Sequence, residues 1–186
     1  MPVSLTDFEH VRDARLRGLL QWWLEARDGA AVPPVTAVDP MAFRDVLDAV
    51  WLCDVEDEPR DFRYRLAGEH VRSAHDQNMT GRRLSELTPP AAWPRIREYF
   101  SYVVDLPAVV HMIGRIYSEA DRPASGERLI LPFADPDTGR SARILGATLH
   151  SWDRRGVPNP DTEVPDRQER TVSPVCGAPA WCEWRL

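Results

Sequence analysis

Three strand-like segments in the second half of the chain follow one another with only short turns between them. They are residues 108–117, 127–133 and 143–152, and the turns are residues 121–126 and 135–139. Parallel strands need a crossover of a dozen or more residues, so these short turns predict antiparallel neighbours. The chain is therefore expected to build this half of its fold as an antiparallel meander.

A second pair of strands is predicted upstream. Residues 49–55 are strand-like, residues 56–60 form a turn that contains Pro59, and residues 61–66 alternate apolar and basic side chains. Such alternation places one face of a strand in the core and the other in water. A hairpin is the simplest arrangement of the two segments.

The beginning of the chain has helical spacing. Residues 6–9 (Thr-Asp-Phe-Glu) fit a capping box, and apolar residues recur behind it at helical spacing as far as Arg27. We predict one long amphipathic N-terminal helix, followed by a linker that ends at residue 36. Shorter helices are predicted at residues 40–47 and 84–87, and a longer one at residues 91–104.

The composition narrows the possible functions. All 23 basic residues are arginine, which excludes lysine Schiff bases and Walker-type nucleotide loops. The net charge of −6 makes nucleic acid and anionic membranes poor default partners. The sequence holds neither a signal peptide pattern nor about 18 consecutive apolar residues, so a cytoplasmic protein is expected.

The cysteine pattern predicts reduced thiols. Cys53, Cys176 and Cys182 are odd in number and lack Cys-x-x-Cys spacing, so neither a metal site nor a disulfide framework is predicted. A bridge between Cys176 and Cys182 remains open as an alternative.

The order of these elements, with helices between the second and third strands, is that of the PAS fold. Five segments strengthen the match, and together with their order they resemble a family of short, stand-alone bacterial PAS proteins over about residues 12–150. These segments are residues 50–55, 61–68, 80–87, 127–133 and 144–147. The resemblance implies an α+β fold with a five-stranded antiparallel sheet and connecting helices, preceded by the N-terminal helix.

The resemblance also implies a non-catalytic sensory or adaptor module in bacterial signalling. Such domains bind a small ligand or dimerise, and they pass a conformational change to an output domain. We expect three parts: residues 1–36, a PAS-like domain at 37–152, and a Pro-rich tail outside the core at 153–186. Since 34 residues are too few for an output domain, we expect a homodimer that acts on a regulatory protein partner in trans.

The resemblance does not identify a cofactor. The Asn-Cys-Arg-Phe motif of flavin-binding light sensors is absent. An axial haem ligand could come from His70 or His75, although an exposed histidine is the commoner role for such positions. The cofactor therefore stays unknown.

A candidate ligand pocket follows from alternation along the strands. Residues 109, 111, 113, 115 and 117 share one face of their strand, and Gly146 and Thr148 share one face of the last strand. Gly146 either leaves room for a ligand, permits close backbone approach or marks a bulge. The predicted pocket residues are His111, Ile113, Tyr117, Gly146 and Thr148; the alternative is a partly exposed sheet face.

A candidate partner surface follows from the two adjacent tryptophans of the N-terminal helix. Trp22 and Trp23 point about 100° apart, so a helix that buries one presents the other elsewhere. An exposed tryptophan favours a partner surface. The predicted dimer residues are Phe8, Val11, Leu19, Trp22 and Trp23; the alternative is that both tryptophans widen the buried stripe.

Two other functions stay open. One is a small enzyme of the cone-shaped isomerase and dehydratase fold, in which His111, Tyr117 and His150 would transfer a proton in an apolar cavity. Two strands before the main helix, and the lack of an acid opposite His111, count against it. The other is a structural adaptor with a filled core and no ligand.

Overall fold

The computed structural model describes residues 3–75, 78–119, 122–152, 168–176 and 178–185. Its centre is one antiparallel sheet of seven strands in the order β2-β1-β5-β4-β3-β6-β7. The strands are β1 (Val50–Asp57), β2 (Arg60–Ala67), β3 (Ala108–Glu119), β4 (Arg122–Ala134), β5 (Ser141–Trp152), β6 (Gln168–Pro174) and β7 (Trp181–Arg185).

Within the described ranges, four α-helices and three 3-10 helices accompany the sheet. The α-helices are α1 (Ala14–Ala26), α2 (Glu69–Arg72), α3 (Leu84–Leu87) and α4 (Trp93–Asp105). The 3-10 helices are Leu5–Phe8, Val35–Ala37 and Pro40–Ala49. In the part of the chain that the structure describes, none of the helices combines the length and the apolar character that a bilayer span requires.

The predicted single N-terminal helix is divided in two. A 3-10 turn at Leu5–Phe8 comes first, and α1 begins only after Asp13, whose carboxylate accepts the backbone N–H of Arg15 at 2.8 Å. The predicted capping box at residues 6–9 is wrong, because Asp7 instead accepts the backbone N–H of Ser4 at 2.7 Å. Helix formation is interrupted where the backbone N–H groups of residues 12 and 13 bond to a side chain of the sheet.

The sheet separates two hydrophobic cores. On one face α1 and the preceding turn cover alternate residues of β3, β4 and β5, such as Val109, Leu129 and Leu145. We call this the N-terminal face. The other face packs against α2, α3 and α4, and it carries Ile130 and Ile144. We call this the helical face.

The C-terminal segment corrects the predicted strand count from five to seven. Residues 168–185 were expected to lie outside the core, but β6 pairs with β3 and β7 pairs with β6. Val172 is fully buried, and the guanidinium of Arg170 lies 4.5 Å from the centre of the Tyr99 ring in α4. The prolines of this hairpin lie at its ends, where Pro174 ends β6, and therefore do not interrupt pairing.

The remaining domain predictions are not tested by this geometry. Residues 153–167, which hold three of the five prolines in the predicted tail, lie outside the described residues. The boundaries at residues 36 and 152 stay predictions.

Candidate functional site

A buried basic and aromatic cluster surrounds Arg128 on the helical face of the sheet. Arg128 lies within β4 and is only 9% exposed. Its Nε donates to Thr148 Oγ1 at 2.9 Å, and its guanidinium carbon lies 5.1 Å from the centre of the Tyr117 ring. We define the Arg128 cluster as Arg128, Thr148, Tyr117, His75 and His150.

Thr148 fixes one edge of the guanidinium. It lies opposite Arg128 in the β4–β5 register and is fully buried. Its hydroxyl oxygen also accepts the indole N–H of Trp51 at 3.0 Å. Arg128 and Thr148 are paired residues of adjacent strands, so strand pairing rather than a loop sets the position of the guanidinium.

A β-bulge brings Tyr117 into the cluster. The register of β3 and β4 shifts between Arg115 and Tyr117, so Ile116 is the extra residue. Tyr117 therefore lies on the helical face although simple alternation assigns it to the other one. Its ring centre lies 5.1 Å from that of His150 and 5.3 Å from that of His75, both with edge geometry.

Three histidines meet at the end of β5. α2 supplies His70, whose Nε2 accepts the backbone N–H of His150 at 3.1 Å, and the two rings lie 4.3 Å apart. His75 follows α2 by one turn. His150 Nδ1 is buried and has no hydrogen-bond partner, which is uncommon for a buried polar atom and calls for an explanation.

The electrostatics of the Arg128 cluster are those of a single permanent positive charge. Burial, followed by the neighbouring His70, Arg128 and His75, lowers the pKa of His150 to about 4. Burial, followed by the charge of Arg128, also lowers the pKa of His75. Among the described residues, no carboxylate forms an ion pair with Arg128.

The N-terminal face carries a second buried polar group, centred on Glu127. Its carboxylate accepts the backbone N–H groups of Arg12 at 2.7 Å and Asp13 at 2.9 Å, and it bonds His111 Nε2 at 2.7 Å. We call these four residues the Glu127 clasp. It fastens the start of α1 to the middle of the sheet.

Burial and hydrogen bonding act in opposite directions on the clasp. Burial alone raises the pKa of Glu127, but the hydrogen bonds from His111, Arg12 and Asp13 outweigh it and lower the pKa. Ionised Glu127 is an acceptor only, so His111 Nε2 carries the shared proton. The neighbouring His10 ring lies 5.0 Å from that of His111, and burial lowers the pKa of His10 to about 4.

The structure divides the predicted pocket residues between the two faces. Tyr117 and Thr148 belong to the Arg128 cluster, whereas His111 lies in the Glu127 clasp and Ile113 shares its side of β3 by alternation. The five residues therefore do not line one pocket. The same division separates His111 from Tyr117 and His150, the three side chains of the enzyme alternative. The expected lack of an acid beside His111 is wrong, because Glu127 bonds its Nε2 at 2.7 Å.

Gly146 serves close packing. A Cβ atom at this position would lie 2.1 Å from a carbon of the Trp51 ring. The indole occupies the space over the strand that the sequence left open for a ligand. The close neighbour is a side chain, so none of the three predicted roles of Gly146, space for a ligand, close backbone approach or a bulge, describes the structure.

The predicted partner surface is part of the core. Phe8, Val11, Leu19 and Trp23 are buried in the N-terminal face, and Trp23 Nε1 donates to the backbone carbonyl of Pro132 at 2.9 Å. Trp22 is half-buried, 4.8 Å from the ring of Phe43. The prediction of a partner surface is wrong for these residues. One side of α1 packs against the sheet, and Trp22 on another side packs against Phe43 of the 3-10 helix Pro40–Ala49. Both tryptophans widen the buried stripe.

The cysteines are free thiols, and the two histidines that were considered as haem ligands pack against other aromatic side chains. Cys53 is buried, Cys176 and Cys182 are exposed, and all three are free thiols. His70 and His75 lie beside His150 and Tyr117. Within the described ranges, no group of three histidine, cysteine or acidic side chains has the arrangement of a metal site.

Sequence reasoning missed the two residues on which the buried polar groups depend. Glu127 and Arg128 are consecutive charges placed directly before the apolar run Leu129-Ile130-Leu131. A charge pair at a strand position whose neighbours are buried on both faces is a usable signal, since buried charges are rare without partners. The sequence did not show which partners they have, because these come from distant segments.

The geometry defines a class of protein: an antiparallel sheet whose strands two and three are separated by helices that cover a buried polar cluster. That is the class of PAS-like sensory domains. A family model described as PAS domain matches residues 11–149, so the chain belongs to the PAS domain family. Neither the curated proteins nor the solved structures contain a match to it.

Proposed function

We propose that this protein is a non-catalytic PAS-type sensory or adaptor module that acts in trans through small-ligand binding, protein binding or both. Membership of the PAS domain family supports a sensory or signalling role. The observation that carries the ligand-binding part is the Arg128 cluster, a buried cation with neutral histidines around it and no carboxylate partner among the described residues. A buried charge is stable only when it is compensated, so the cluster favours a ligand.

The proposed signal passes through β4. Arg128 faces the ligand side and the adjacent Glu127 holds the start of α1 on the opposite side. A ligand that moves Arg128 would displace the same stretch of strand that carries the clasp. It can shift the equilibrium between two packings of α1 only by its difference in affinity for them.

The proposed partner surface lies outside the predicted helix residues. A homodimer or a regulatory protein could use the exposed apolar side chains Met41 and Leu47, which are 67% and 38% exposed on one 3-10 helix. Light scattering of the purified chain, 21.2 kDa as a monomer, measures self-association. A dimer that Met41→Gln weakens would support this surface, and a dimer insensitive to the change would assign the interface elsewhere.

Native mass spectrometry after gentle purification tests the sensor proposal. A bound small molecule, or a rise in melting temperature with a member of a metabolite library, is the expected result. Only unliganded protein, with no thermal shift across the library, would instead favour the ligand-free adaptor. In Arg128→Met the co-purified ligand should be lost, while the exposed-site control Asp45→Ala should retain it.

The enzyme alternative has less support than the sensor. Its proposed His111, Tyr117 and His150 lie on two faces of the sheet. A cytoplasmic location and a bacterial signalling role remain part of the proposal.

A further inference from the structure

We propose that the Arg128 cluster binds a small monocarboxylate. This inference rests on the proposed ligand-sensing function and adds the chemical class of the ligand. It is carried by the charge of the cluster, by the hydrogen-bond donors that remain on it and by the contrast with a second buried arginine.

Three arginines are buried among the described residues. Arg27 donates to the backbone carbonyls of Ala30 and Val3, whereas Arg128 and Arg170 differ in their counter-ions. Arg170 is fully buried over the Tyr99 ring, and its Nη1 donates to Glu183 Oε2 at 2.9 Å. Arg128 is packed against the Tyr117 ring in a similar way, but its partners among the described residues, Thr148 and the ring itself, are uncharged. An arginine stays protonated at neutral pH, and no carboxylate of the described residues pairs with Arg128, so a bound anion would compensate its charge.

The guanidinium has donors left for that anion. Arginine has five N–H donors, and Thr148 uses the one on Nε. The planar fork that remains matches the two oxygens of a carboxylate.

The orphaned nitrogen of His150 supplies a further contact. His150 Nδ1 is buried without a partner, and its ring contacts the same Tyr117 ring that covers Arg128. A carboxylate oxygen bound between them would accept from this nitrogen and satisfy it. An uncharged ligand could satisfy the nitrogen but would leave the charge of Arg128 uncompensated.

The charge count favours one negative charge over two. Arg128 is the permanent cation of the cluster, and His75 and His150 are neutral at pH 7 because their pKa values are lowered. A phosphate dianion would bring a second charge for which the cluster offers no second permanent cation. Inorganic phosphate should therefore bind more weakly than a monocarboxylate.

Proton linkage gives an independent signature of an anion. The groups that face His150 and His75 are Arg128 from β4, Tyr117 from β3 and His70 from α2. A bound anion offsets the field of Arg128 and raises the pKa of both histidines. Carboxylate affinity should consequently increase as the pH falls from 8 to 6, with net proton uptake on binding.

The test compares charged and neutral ligands of the same shape. Isothermal titration of the full chain at pH 8 uses acetate, pyruvate, benzoate and indole-3-acetate, with benzamide and indole-3-acetamide as uncharged analogues. Inorganic phosphate, which is mostly the dianion at this pH, is the doubly charged comparison. We expect at least one monocarboxylate to bind about 10- to 100-fold more tightly than its amide, the range for a hydrogen-bonded charge. Arg128→Met should lower its affinity to the level of the amide.

The control variant is Arg170→Met, which removes a second buried guanidinium of the helical face and should leave carboxylate affinity unchanged. Equal binding of carboxylates and amides, or tighter binding of phosphate, would overturn the monocarboxylate and leave ligand sensing intact. Failure of the whole panel would also overturn it. If native mass spectrometry then finds only unliganded protein, the sensing proposal fails as well.

Discussion

Glu127 and Arg128 are consecutive residues of β4 that lie on opposite faces of one sheet, and their surroundings differ sharply. The carboxylate receives two backbone N–H groups and the His111 ring, all within 2.9 Å. The guanidinium donates to Thr148 and packs against an aromatic ring, and neither of these partners carries a charge.

The difference separates two uses of a buried charge. The N-terminal face has committed its donors to Glu127, so the charge there stabilises the position of α1. On the helical face, strand pairing positions Arg128, but no carboxylate of the described residues compensates its charge. Removing one partner of a satisfied buried charge costs several kcal/mol, whereas removing an uncompensated charge can be neutral or stabilising.

The largest expected effect is at the clasp. Glu127→Ala leaves the N–H groups of Arg12 and Asp13 and the ring of His111 without their acceptor. We expect the free energy of unfolding to fall by about 3 kcal/mol, measured by urea denaturation. Asp45→Ala, an exposed acid, should change it by less than about 0.5 kcal/mol. A Glu127→Ala loss no larger than that of the control would contradict the clasp.

A steric change on the helical face should have a smaller effect. Gly146→Ala places a methyl group against the Trp51 ring, and overpacking of this kind costs about 1–3 kcal/mol. Gly18 is the matched control, since a Cβ there meets no atom within 4 Å. Gly18→Ala should stabilise α1 by about 0.5–1 kcal/mol. Equal results for the two variants in urea denaturation would show that the indole does not fill this space.

Lowering the pH should reduce the free energy of unfolding through partly buried histidines on both faces of the sheet. The pKa of His10 beside the clasp and that of His150 in the cluster are both lowered from 6.5 to about 4. The unfolded chain therefore binds more protons than the folded one below pH 6.5, and stability falls as the pH drops from about 6.5 towards 4. The lowered pKa of Glu127 extends the loss to lower pH.

Single variants assign this pH dependence to a face. His10→Gln and His150→Gln should each make the slope of unfolding free energy against pH shallower between pH 6.5 and 4. Denaturation at a series of pH values measures the slope. If neither variant changes it, the buried histidines are not its source.

The smallest expected change is at Arg128 itself. Without a ligand, Arg128→Met replaces an uncompensated charge by an apolar side chain of similar length, and we expect a change within about 1 kcal/mol, in either direction. Thermal unfolding in ligand-free buffer measures it. A loss as large as that of Glu127→Ala would mean that the two charges are equally satisfied, and the comparison would fail.

Local sequence pattern predicted five of the strands, and their order together with the resemblance predicted the PAS fold. The structure of the first and last parts of the chain was not predicted. Strand alternation and short turns indicated the five strands that follow the PAS order, since hydrophobic spacing and turn length act within a few residues. The predicted long helix was wrong because its break depends on Glu127, more than a hundred positions away. The last two strands were missed because proline content is a poor guide where prolines lie at strand ends.

The candidate site was harder to predict for a similar reason. Alternation placed Tyr117 with His111, and the bulge at Ile116 reversed that assignment. Thr148 was predicted, but Arg128 and His75 were not, since their contacts come from separate elements. The predicted dimer surface was wrong because helical spacing shows how much of a helix is apolar. The spacing does not show whether the chain's own sheet or a partner covers the apolar face.

The C-terminal hairpin also protects the sheet from unwanted pairing. β3 would otherwise be an edge strand, with its backbone N–H and C=O groups open along residues 109–113, four of which are apolar. Such an edge favours strand-to-strand association between molecules. β6 pairs with β3, and β7 becomes the edge strand on this side of the sheet. β7 has only five residues, which include Glu183 and Arg185. The last residues of the chain thus act as a guard against aggregation, and they do so by extending the sheet.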